Sequence, residues 1–582
     1  MHTTPQKKRT KLVAVIIIIL IAAIFVALFY IAKPLYEDYA ASRQQVDLYS
    51  FFGLTDVNDA PIILGDTRTP MNAKIINGVV YWDSSNIVKV FDERFYFHEE
   101  DDYLLFTNAN EVVRVNMGDT FYTTHAEVMP VAETGTVDLG HVIMRLEDGL
   151  VFLSLEFVSK YANFSYIVYN NPNRVQMYAA DHDYRSATIT KRSVLCKDAE
   201  RKSGMLKSLS IGEVVYIEKP LGEWTKVRTK DALIGFVETS RLSEETEGRI
   251  TMPINYEDPP YTDVVRGHQI VLGWNQLTNA EANNFLSNYL EGAYPMNTIS
   301  PTWYTIMDGQ GSVKSISSKA YVDQAHARGL EVWPLVDDFT EGLDRNTLLS
   351  SFESRSNFIS FLITECENLG LDGINIDFEV VPDDAGYHFT QFLREFSVAM
   401  RARGLVFSID NYPPRPHTYH YNRRVQGEVA DYVIIMGYDE HWGSSSGAGS
   451  VASLPFVKDA IVRTLAQDVP AYKTINAVPF YTRVWSTAHS DGSVSATAIG
   501  QKSQAEWIAK RGLEPIWSEE LGQNYTQIDE NNRTYQMWLE DADSMRVRLE
   551  MMKNYDLAGI ACWRLGLENE AQWAEIAKYL EN

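Results

Sequence analysis

The C-terminal part of the chain alternates short apolar runs with longer amphipathic segments. The short runs have the length of buried strands, and segments such as residues 388–404 carry an apolar stripe at helical spacing. Strands that alternate with helices form parallel sheets, and eight such pairs close into a (β/α)8 barrel. An open α/β sheet has the same alternation. We expect an α/β fold in which residues 263–582 form a (β/α)8 TIM barrel. The predicted strands are residues 269–275, 298–306, 331–339, 373–379, 405–412, 432–439, 474–481 and 559–566.

One predicted strand has an unusual polar pattern. In residues 371–379, LDGINIDFE, three polar positions alternate with three apolar ones, namely Asn375, Asp377 and Glu379 with Ile374, Ile376 and Phe378. Successive side chains of a strand point to opposite faces, so the polar groups share one face. A solvated edge strand has the same pattern. In a barrel one face meets the helices and the other fills the lumen, so we place the polar residues in the lumen, with Glu379 nearest the mouth.

Polar and aromatic residues also cluster where the other predicted strands end. They are Trp274–Asn275, Trp303–Tyr304, Asp337–Asp338, Asp410–Tyr412, Tyr438–Asp439, Tyr481 and Trp563. Barrel enzymes carry their active site at this end of the strands. A buried row of acids costs desolvation free energy, which disfavours a purely structural role. We therefore expect an active site at the mouth of the barrel.

Two upstream segments have short strand-like runs separated by turn signals. They cover residues 66–180 and 186–245, and we expect each to form a small all-β domain. Residues 33–65 have a mixed composition typical of a connector. Residues 246–262 contain three prolines and are predicted to be a linker.

The beginning of the chain differs from the rest. Residues 12–32 carry no charge, and a helix of that length is about 31 Å long, enough to cross a bilayer core. Residues 1–11 form a basic tail without acids, which favours a cytoplasmic N-terminus. We expect a transmembrane signal-anchor that leaves residues 33–582 outside the cytoplasm. A cleaved signal peptide, after which the protein is secreted, is the alternative, although its hydrophobic region is usually shorter.

The composition narrows the function. With 12 Trp, 32 Tyr, 25 Phe and 45% hydrophobic residues, the chain can form large packed cores. A net charge of −25 opposes binding to nucleic-acid phosphates, so we predict no nucleic-acid partner. The three cysteines, Cys196, Cys366 and Cys562, have neither a disulfide framework nor zinc-ligand spacing. We predict buried free thiols, no metal and no cofactor.

The motif LDGINIDFE closely resembles the DGxDxDxE signature of glycoside hydrolase family 18, the chitinase-type enzymes. MGYD at 436–439, VPFYTRVW at 478–485 and GIACWRLG at 559–566 resemble the sixth, seventh and last strands of that family. In character the match is most similar to the bacterial cell-wall and spore-cortex branch. The Ser-x-Gly-Gly of many chitinases is absent from the third strand, where residues 331–339 are EVWPLVDDF.

This resemblance implies substrate-assisted retaining hydrolysis, an exception to the scheme with two catalytic carboxylates. Glu379 would protonate the glycosidic oxygen, and the carbonyl oxygen of the substrate's own N-acetyl group would be the nucleophile. Asp377 would orient that acetamido group, and Tyr438 would donate a hydrogen bond to its carbonyl. The resemblance also implies a set of substrate-binding residues: Asn375, Asp439, Met436, Tyr481, Trp563 as the apolar floor, and Trp274, with Trp303 and Trp442 as further candidates for lining the groove.

Asn375 departs from the family pattern, because many chitinases have Asp at this position. An amide cannot hold or release a proton, but it can donate a hydrogen bond to Asp377 without adding negative charge. We expect Asp377 to stay ionised and the pH optimum to differ, while catalysis survives. Asp377 and Glu379 lie within about 7 Å of each other on one strand face, which favours the protonated form of Glu379.

Two weaker resemblances concern the upstream segments. Stretches beginning at Asn77 and Asp148 are similar to each other at an offset of 71 residues. The second, LVFLSLEFVSKY, resembles a bacterial module related to the N-terminal domain of copper amine oxidases. GEWTKVRTKDALIGFVETSRL, within residues 186–245, resembles the bacterial SH3 domain, which often holds exported enzymes to the cell wall.

These observations predict a membrane-anchored, extracytoplasmic glycoside hydrolase. It would cleave β-1,4 bonds at N-acetylglucosamine residues, with peptidoglycan favoured over chitin as the polysaccharide partner. The preference for peptidoglycan depends on the anchor, the SH3-like segment and the branch resemblance. The alternatives are a chitinase or chitooligosaccharide hydrolase, and a non-catalytic protein that binds cell-wall glycan on the same fold. The presence of Glu379 disfavours the last alternative.

Overall fold

The computed structural model describes residues 6–41, 44–98, 102–125 and 135–581. The chain divides into two units. The first unit contains Met1–Phe95, Met117–Thr120 and Leu139–Glu257, and the second contains Tyr96–Asn116, Phe121–Asp138 and Asp258–Asn582. Two segments of the range 66–180, predicted as one β-rich domain, thus belong to the same unit as the barrel.

A long apolar helix, Gln6–Ala41, begins the described part of the chain. Its stretch Arg9–Lys33 is long and apolar enough to cross a membrane, and it is exposed throughout. The prediction of an apolar N-terminal helix over residues 12–32 is confirmed.

Seven strands form the first sheet of the first unit. In spatial order they are Ser165–Tyr169, Arg174–Tyr178, Asp59–Leu64, Thr67–Ile76, Val79–Asp83, Leu150–Ser154 and Met144–Glu147. Three short helices belong to the same unit, Leu48–Phe52, Ser84–Val90 and Leu155–Val158.

Two hairpins of this sheet explain the sequence similarity at an offset of 71 residues. Asn77 and Gly78 have φ values of 52° and 84°, and Asp148 and Gly149 have 54° and 78°. Positive φ at both central positions is the signature of a type I′ turn, whose twist matches that of paired strands. In each copy the turn is followed by a strand and then by a short helix. The repeated pattern is therefore a repeated turn–strand–helix unit.

A second seven-stranded sheet completes the first unit. Its strands, in spatial order, are Met205–Leu209, Ser193–Cys196, Ile234–Glu238, Trp224–Thr229, Val214–Leu221, His182–Thr188 and Thr246–Ile250. Each strand of this sheet pairs with its neighbours in antiparallel fashion, as is usual for a small all-β fold. A 3-10 turn, Thr239–Arg241, follows one of the central strands.

The second unit contains a closed barrel of eight parallel strands. The strands are, in chain order, Ile270–Asn275, Thr298–Ile306, Leu335–Asp337, Gly373–Asp377, Val406–Asn411, Tyr432–Met436, Thr474–Pro479 and Gly559–Trp563. A two-residue strand, Glu331–Val332, precedes the third of them. We number the eight parallel strands, in chain order, as barrel strands one to eight. Each lies within a predicted strand, so the α/β TIM-barrel prediction is confirmed.

Helices connect the barrel strands, because each parallel neighbour requires a crossover. They are Leu286–Leu290, Lys319–His326, Arg345–Ser350, Phe352–Leu369, Gly386–Arg401, Arg423–Val429, Leu454–Leu465, Gln501–Arg511, Ala542–Lys553 and Glu570–Leu580. Short 3-10 helices add Ala280–Phe285, Asp383–Ala385, Pro416–Tyr421 and Ala471–Lys473. Most have side-chain N-caps; Ser351, for example, accepts a hydrogen bond from the Ser354 N–H and begins the helix Phe352–Leu369.

The two faces of barrel strand four meet different surroundings. On the outer face, the Phe378 ring lies 5.8 Å from that of Phe392 on the helix Gly386–Arg401. On the lumen face, Asn375 accepts a hydrogen bond from the indole of Trp274 at 2.9 Å. Both faces are buried, so the reading of this strand as a solvated edge is excluded.

A five-stranded antiparallel sheet is inserted between barrel strands seven and eight. Its strands, in spatial order, are Val494–Gly500, Tyr481–Ala488, Arg533–Trp538, Gln523–Glu530 and Ile516–Ser518. The sequence pattern predicts Tyr481 at the end of barrel strand seven. In the structure that strand ends at Pro479, and Tyr481 begins the inserted sheet.

The three cysteines are free and buried, as predicted. Cys196 lies in the first unit, and Cys366 and Cys562 lie in the second. Their side chains are 1%, 2% and 0% exposed. Burial raises the pKa of the Cys196 thiol to about 11 and also raises the pKa of the Cys562 thiol.

A small antiparallel sheet also belongs to the second unit and packs near a buried ion pair. Its strands are Phe95–His98, Tyr103–Thr107, Val112–Asn116, Phe121–His125 and Gly135–Asp138. The Tyr103 hydroxyl donates to the Ser350 carbonyl at 3.1 Å. Beside it, Arg355 donates two hydrogen bonds to Glu395, at 2.8 and 2.9 Å, and both side chains are almost fully buried.

Removing one partner of this buried pair should be strongly destabilising. We expect Glu395→Gln to lower the free energy of unfolding by about 3 kcal/mol or more, because the charge of Arg355 would remain buried without a counterion. The matched control is Glu367→Gln, which breaks an exposed pair with Arg403 and should cost less than about 1 kcal/mol. Thermal or urea unfolding of both variants checks the difference, and equal losses would contradict it.

Candidate active site

A cleft of about 880 Å³ opens at the C-terminal ends of the barrel strands. This is the end at which barrel enzymes carry their catalytic groups. Residues from all but the seventh strand region line it, including Trp274, Thr302, Trp303, Thr305, Leu335, Asp337, Phe339, Asp377, Glu379, Asp410, Tyr412, Arg415, His417, Met436, Tyr438, Asp439, Glu440, Trp442 and Trp563. Seven of the nine residues predicted from the sequence for catalysis or substrate binding are among them.

The other two predicted residues, Asn375 and Tyr481, are not part of the cleft lining in the described chain. Asn375 lies beneath the cleft and is fully buried. Tyr481 lies behind its wall, where its hydroxyl donates to Asp439 Oδ1 at 2.6 Å. Both residues therefore position neighbours that face the cleft.

The contacts of Asn375 differ from the expected ones. Its side-chain oxygen accepts hydrogen bonds from Trp274 at 2.9 Å and from Ser300 at 3.3 Å. Its amide nitrogen donates to Asp410 Oδ1 at 2.9 Å. The sequence pattern predicts that this nitrogen donates to Asp377, on its own strand. It donates to Asp410 on barrel strand five instead. Residues 375 and 377 follow each other along one strand, whereas Asp410 lies on the neighbouring paired strand.

Asp377 is 5% exposed, and its Oδ1 atom has no hydrogen-bond partner among the described residues. Burial raises the pKa of this carboxyl well above its usual range, and the neighbouring carboxyls of Asp410 and Glu379 raise it further. This direction is opposite to the expectation that Asp377 simply stays ionised. The unsatisfied oxygen is a ready acceptor for an N–H group brought by a ligand.

Glu379 stands just beyond the end of barrel strand four and is half-buried. Its backbone N–H donates to Asp338 Oδ1 at 3.1 Å, and its carboxylate accepts a hydrogen bond from the Tyr412 hydroxyl. Burial raises the pKa of Glu379, as do the nearby acids Asp338 and Asp439, while the hydrogen bond from Tyr412 opposes the rise. A carboxyl with a raised pKa is suited to act as a general acid near neutral pH.

Asp338 is the fixed support of the acid. Its side chain is 1% exposed and pairs with Arg345, whose Nε lies 2.7 Å from Oδ2. The other oxygen, Oδ1, receives the Glu379 N–H. The ion pair therefore anchors the backbone at the position from which the acid projects.

Barrel strand six leads Tyr438 and Met436 to the cleft. Among the described residues, no group hydrogen-bonds the Tyr438 hydroxyl. Burial raises the pKa of this phenol, and the nearby Tyr481 and Asp377 raise it further, so it stays a neutral donor. It can donate to a carbonyl oxygen in the cleft.

Asp439 follows Tyr438 in the left-handed backbone region, with a φ of 56°. Its Oδ1 atom accepts hydrogen bonds from Tyr481 at 2.6 Å and from Arg483 at 2.8 Å. Both donors lie on the strand Tyr481–Ala488 of the inserted sheet. The inserted sheet thus holds an acid of the cleft in place.

Aromatic rings form the other walls. The rings of Trp274 and Trp563 lie 5.7 Å apart in an edge arrangement, and both line the cleft. Trp303 is also part of the lining but is tied to Asn283 through its indole N–H at 2.8 Å. Trp442 is 59% exposed at the rim. Flat apolar walls beside carboxylates suit a sugar, which has apolar faces and polar edges.

Sequence reasoning assigned no role to Asp410 and Tyr412, although it placed both at a strand end. Each contacts a predicted site residue, Asp410 through Asn375 and Tyr412 through Glu379. A signal was present in the sequence, because Ser408, Asp410 and Tyr412 alternate with apolar or amide positions as the residues of strand four do.

The chain is similar to known glycosidases. Residues 339–568 match the family model described as glycosyl hydrolases family 18. An uncharacterized glycosylase, YvbX, of Bacillus subtilis is 23% identical over 299 residues, covering 49% of this chain and 84% of that protein. The cortical fragment-lytic enzyme of the same organism is 28% identical over 244 residues, covering 40% of this chain and 56% of that protein. The match thus spans only about half the length of that second relative.

Among solved structures, a chitinase of Chromobacterium violaceum aligns with 54% of this chain and 99% of its own, at 22% identity and a TM-score of 0.49. The family match begins just after barrel strand three and ends just beyond barrel strand eight, and it includes Asp377, Glu379, Tyr438 and Trp563. The prediction of a glycoside hydrolase is confirmed at this level. The comparisons therefore support a glycoside hydrolase family 18 domain within residues 339–568.

Proposed function

We propose that this chain hydrolyses β-1,4 bonds at N-acetylglucosamine residues by substrate-assisted retaining catalysis. The observation that carries the proposal is the buried, unpartnered Oδ1 of Asp377, two residues before an acid with a raised pKa. An acetamido N–H is a donor that can satisfy this oxygen. Once it binds there, the sugar carrying it has its glycosidic bond beside Glu379.

In the first step, the Glu379 carboxyl gives its proton to the glycosidic oxygen as the bond to the anomeric carbon breaks. The acetamido carbonyl oxygen of the same sugar forms a new bond to that carbon, which gives an oxazolinium ion. Asp377 accepts the acetamido N–H and stabilises the positive charge, and Tyr438 donates to the carbonyl oxygen and orients it. Trp563 supports the apolar face of the sugar.

In the second step, the Glu379 carboxylate takes a proton from a water molecule, and the resulting hydroxide attacks the anomeric carbon. The bond to the acetamido oxygen breaks, and the sugar leaves with its original anomeric configuration. Glu379 is protonated again and ready for another cycle. A raised pKa serves the first step, because the acid must still carry its proton at the working pH.

The substrate we favour is peptidoglycan, with the enzyme held at the outer face of the cell membrane. The support is the apolar helix Gln6–Ala41, the basic residues at its start and the similarity to a cortical fragment-lytic enzyme. The same helix can act as a signal anchor or as a cleaved signal peptide. In this proposal the segments 66–180 and 186–245 connect the barrel to the wall, the second in the manner of bacterial SH3 domains.

Replacing the acid should abolish the reaction without unfolding the protein. We expect Glu379→Gln to lower kcat by about 10²-fold or more on any substrate that the native chain cleaves, because an amide cannot transfer the proton. The full chain in detergent is incubated with purified peptidoglycan and with chitin oligomers, and mass spectrometry of the new reducing ends identifies the bond. Glu367→Gln, a surface variant of the same chemistry, should match the native rate.

This experiment also separates the alternatives. Products from chitin oligomers alone would favour a chitinase, and products from peptidoglycan would support the proposal. Binding to either glycan without any product from the native chain would overturn the enzymatic proposal in favour of a non-catalytic glycan-binding protein.

The Tyr438 hydroxyl should act mainly on turnover. We expect Tyr438→Phe to lower kcat by about 10- to 100-fold, the value of one hydrogen bond to a charged group, with a smaller change in KM. Tyr419→Phe removes the hydroxyl of an exposed tyrosine outside the cleft and serves as the control. A rise in KM with kcat unchanged would show that Tyr438 contributes only to binding.

A further inference from the structure

Barrel strands four and five carry two parallel rows of residues that face the lumen. The strands pair in register, with Asn375 beside Ser408 and Ile376 beside Ile409. The same register, continued toward the mouth, places Asp377 beside Asp410 and Glu379 beside Tyr412. Neighbouring strands lie about 4.8 Å apart, so side chains at paired positions on one face are in contact range.

The pair Asp377 and Asp410 brings two carboxyl groups together in a dry environment. The two side chains are 5% and 3% exposed. Asn375 occupies Oδ1 of Asp410 as a donor, and no described residue serves Oδ1 of Asp377. Two buried carboxylates at paired strand positions cannot both ionise at low cost, which favours the protonated form of one of them. Burial raises the pKa of Asp410 as it does that of Asp377.

The pair Glu379 and Tyr412 is joined directly. The Tyr412 hydroxyl donates a hydrogen bond to Oε2 of Glu379. Tyr412 is 38% exposed and lines the cleft, so the contact lies at the edge of the substrate space. A donor to one oxygen leaves the other oxygen of Glu379 to carry the proton toward a substrate.

We propose that barrel strand five controls the protons of the catalytic acids on barrel strand four: Asp410 takes the proton-sharing role that Asn375 cannot perform, and Tyr412 holds the carboxyl of Glu379 in its reactive orientation. Both are positioning residues that act through Asp377 and Glu379. The inference rests on the proposed function, because the protons matter only if Glu379 is the acid. It places the partner acid on a different strand from the one that the sequence motif indicates.

Over one reaction cycle, this arrangement takes up and releases equal numbers of protons. When an acetamido N–H reaches Asp377, the shared proton moves from Asp377 to Asp410, and Asp377 accepts the N–H as a carboxylate. The proton that Glu379 gives to the glycosidic oxygen is separate and is replaced by one from water. When the product leaves, the shared proton returns, and the pair has neither gained nor lost a proton.

Other charges around these acids are largely fixed by partners. Asp338 is paired with Arg345, and Asp439 is paired with Arg483. Asp337 accepts from the hydroxyl of Thr305 at 3.1 Å and from a backbone N–H. The groups that face Glu379 and the carboxyl pair are thus Asp337, Asp338, Arg345, Tyr412, Tyr421, Tyr438, Asp439 and Arg483.

The variant Asp410→Asn tests the first half of the proposal. An amide still accepts from Asn375, so the local hydrogen bond and the fold are kept. At alkaline pH the native pair gains a second negative charge, which raises the pKa of Glu379 and keeps the acid protonated. Without that charge the alkaline limb of the kcat/KM profile should move about one pH unit lower.

The double variant Asn375→Asp with Asp410→Asn is the matched control. It moves the acid from strand five to strand four and preserves a hydrogen bond between positions 375 and 410 with its direction reversed. An acid again lies beside Asp377, so we expect the alkaline limb to return to within about half a pH unit of the native position.

The variant Tyr412→Phe should shift the profile in the opposite direction. The lost hydrogen bond stabilises the ionised form of Glu379, so its removal raises the pKa of the acid and moves the alkaline limb about half to one pH unit higher. Tyr419→Phe, outside the cleft, should leave the limb in place. If Asp410→Asn and Tyr412→Phe lower the rate equally at every pH without moving the limb, strand five is only a structural support and the proposal is wrong.

A second measurement decides the role of Asp410 without any activity. A carboxyl with a raised folded-state pKa contributes stability that is present below its unfolded pKa and is lost as the pH rises through the folded pKa. Asp410→Asn removes one such group, so the melting temperature of the full chain in detergent should fall less between about pH 5 and about pH 8 than that of the native chain. An unchanged pH dependence would overturn proton sharing. A native chain that cleaves neither glycan would overturn the proposed function while this result still stands.

Discussion

Like charges brought together out of water are the physical constraint on which this active site depends. Parallel barrel strands fix the spacing between neighbouring residues of one face, and burial removes the solvent that would screen them. Asp377, Asp410 and Glu379 are held close by backbone pairing, which disfavours ionisation of all three carboxyls at once. The fold thereby favours a protonated carboxyl at the position where the proposed mechanism needs an acid. The cost of burying these groups is met by the large apolar shell around the barrel, to which both strand faces contribute.

The residues around these carboxyls provide partners for some of the neighbouring polar groups and leave others without a partner. Arg345 forms an ion pair with Asp338, and Arg483 forms one with Asp439, so each of the two outer acids has a cationic partner. Trp274 and Ser300 fill the acceptor capacity of Asn375, which turns its amide nitrogen toward Asp410. One oxygen of Asp377 has no hydrogen-bond partner among the described residues. The unmet hydrogen bond and the surplus negative charge therefore fall at one position, which favours a ligand with an N–H donor and a developing positive charge.

Much of this arrangement could be predicted from sequence because it depends on local periodicity. The alternation in residues 371–379 fixes which side chains share a face, and the succession of strands and helices fixes the barrel. The partner of Asn375 could not be predicted in the same way. The register between strands four and five is a property of their pairing in three dimensions, and the polar pattern within one strand does not show which residue of its neighbour lies beside it. Tyr481 was misplaced for a related reason, since the chain leaves the barrel at Pro479 without a composition change and continues directly into another strand.

The burial of the three thiols affects how readily the protein is oxidised and how its unfolding can be measured. Because Cys196, Cys366 and Cys562 are buried and their thiolate forms are disfavoured, we expect oxidants and alkylating reagents to react with them slowly in the folded state. The chain can thus persist in an oxidising environment without cross-linking. Since one thiol lies in the first unit and two in the second, the order in which they become alkylated reports which unit opens first.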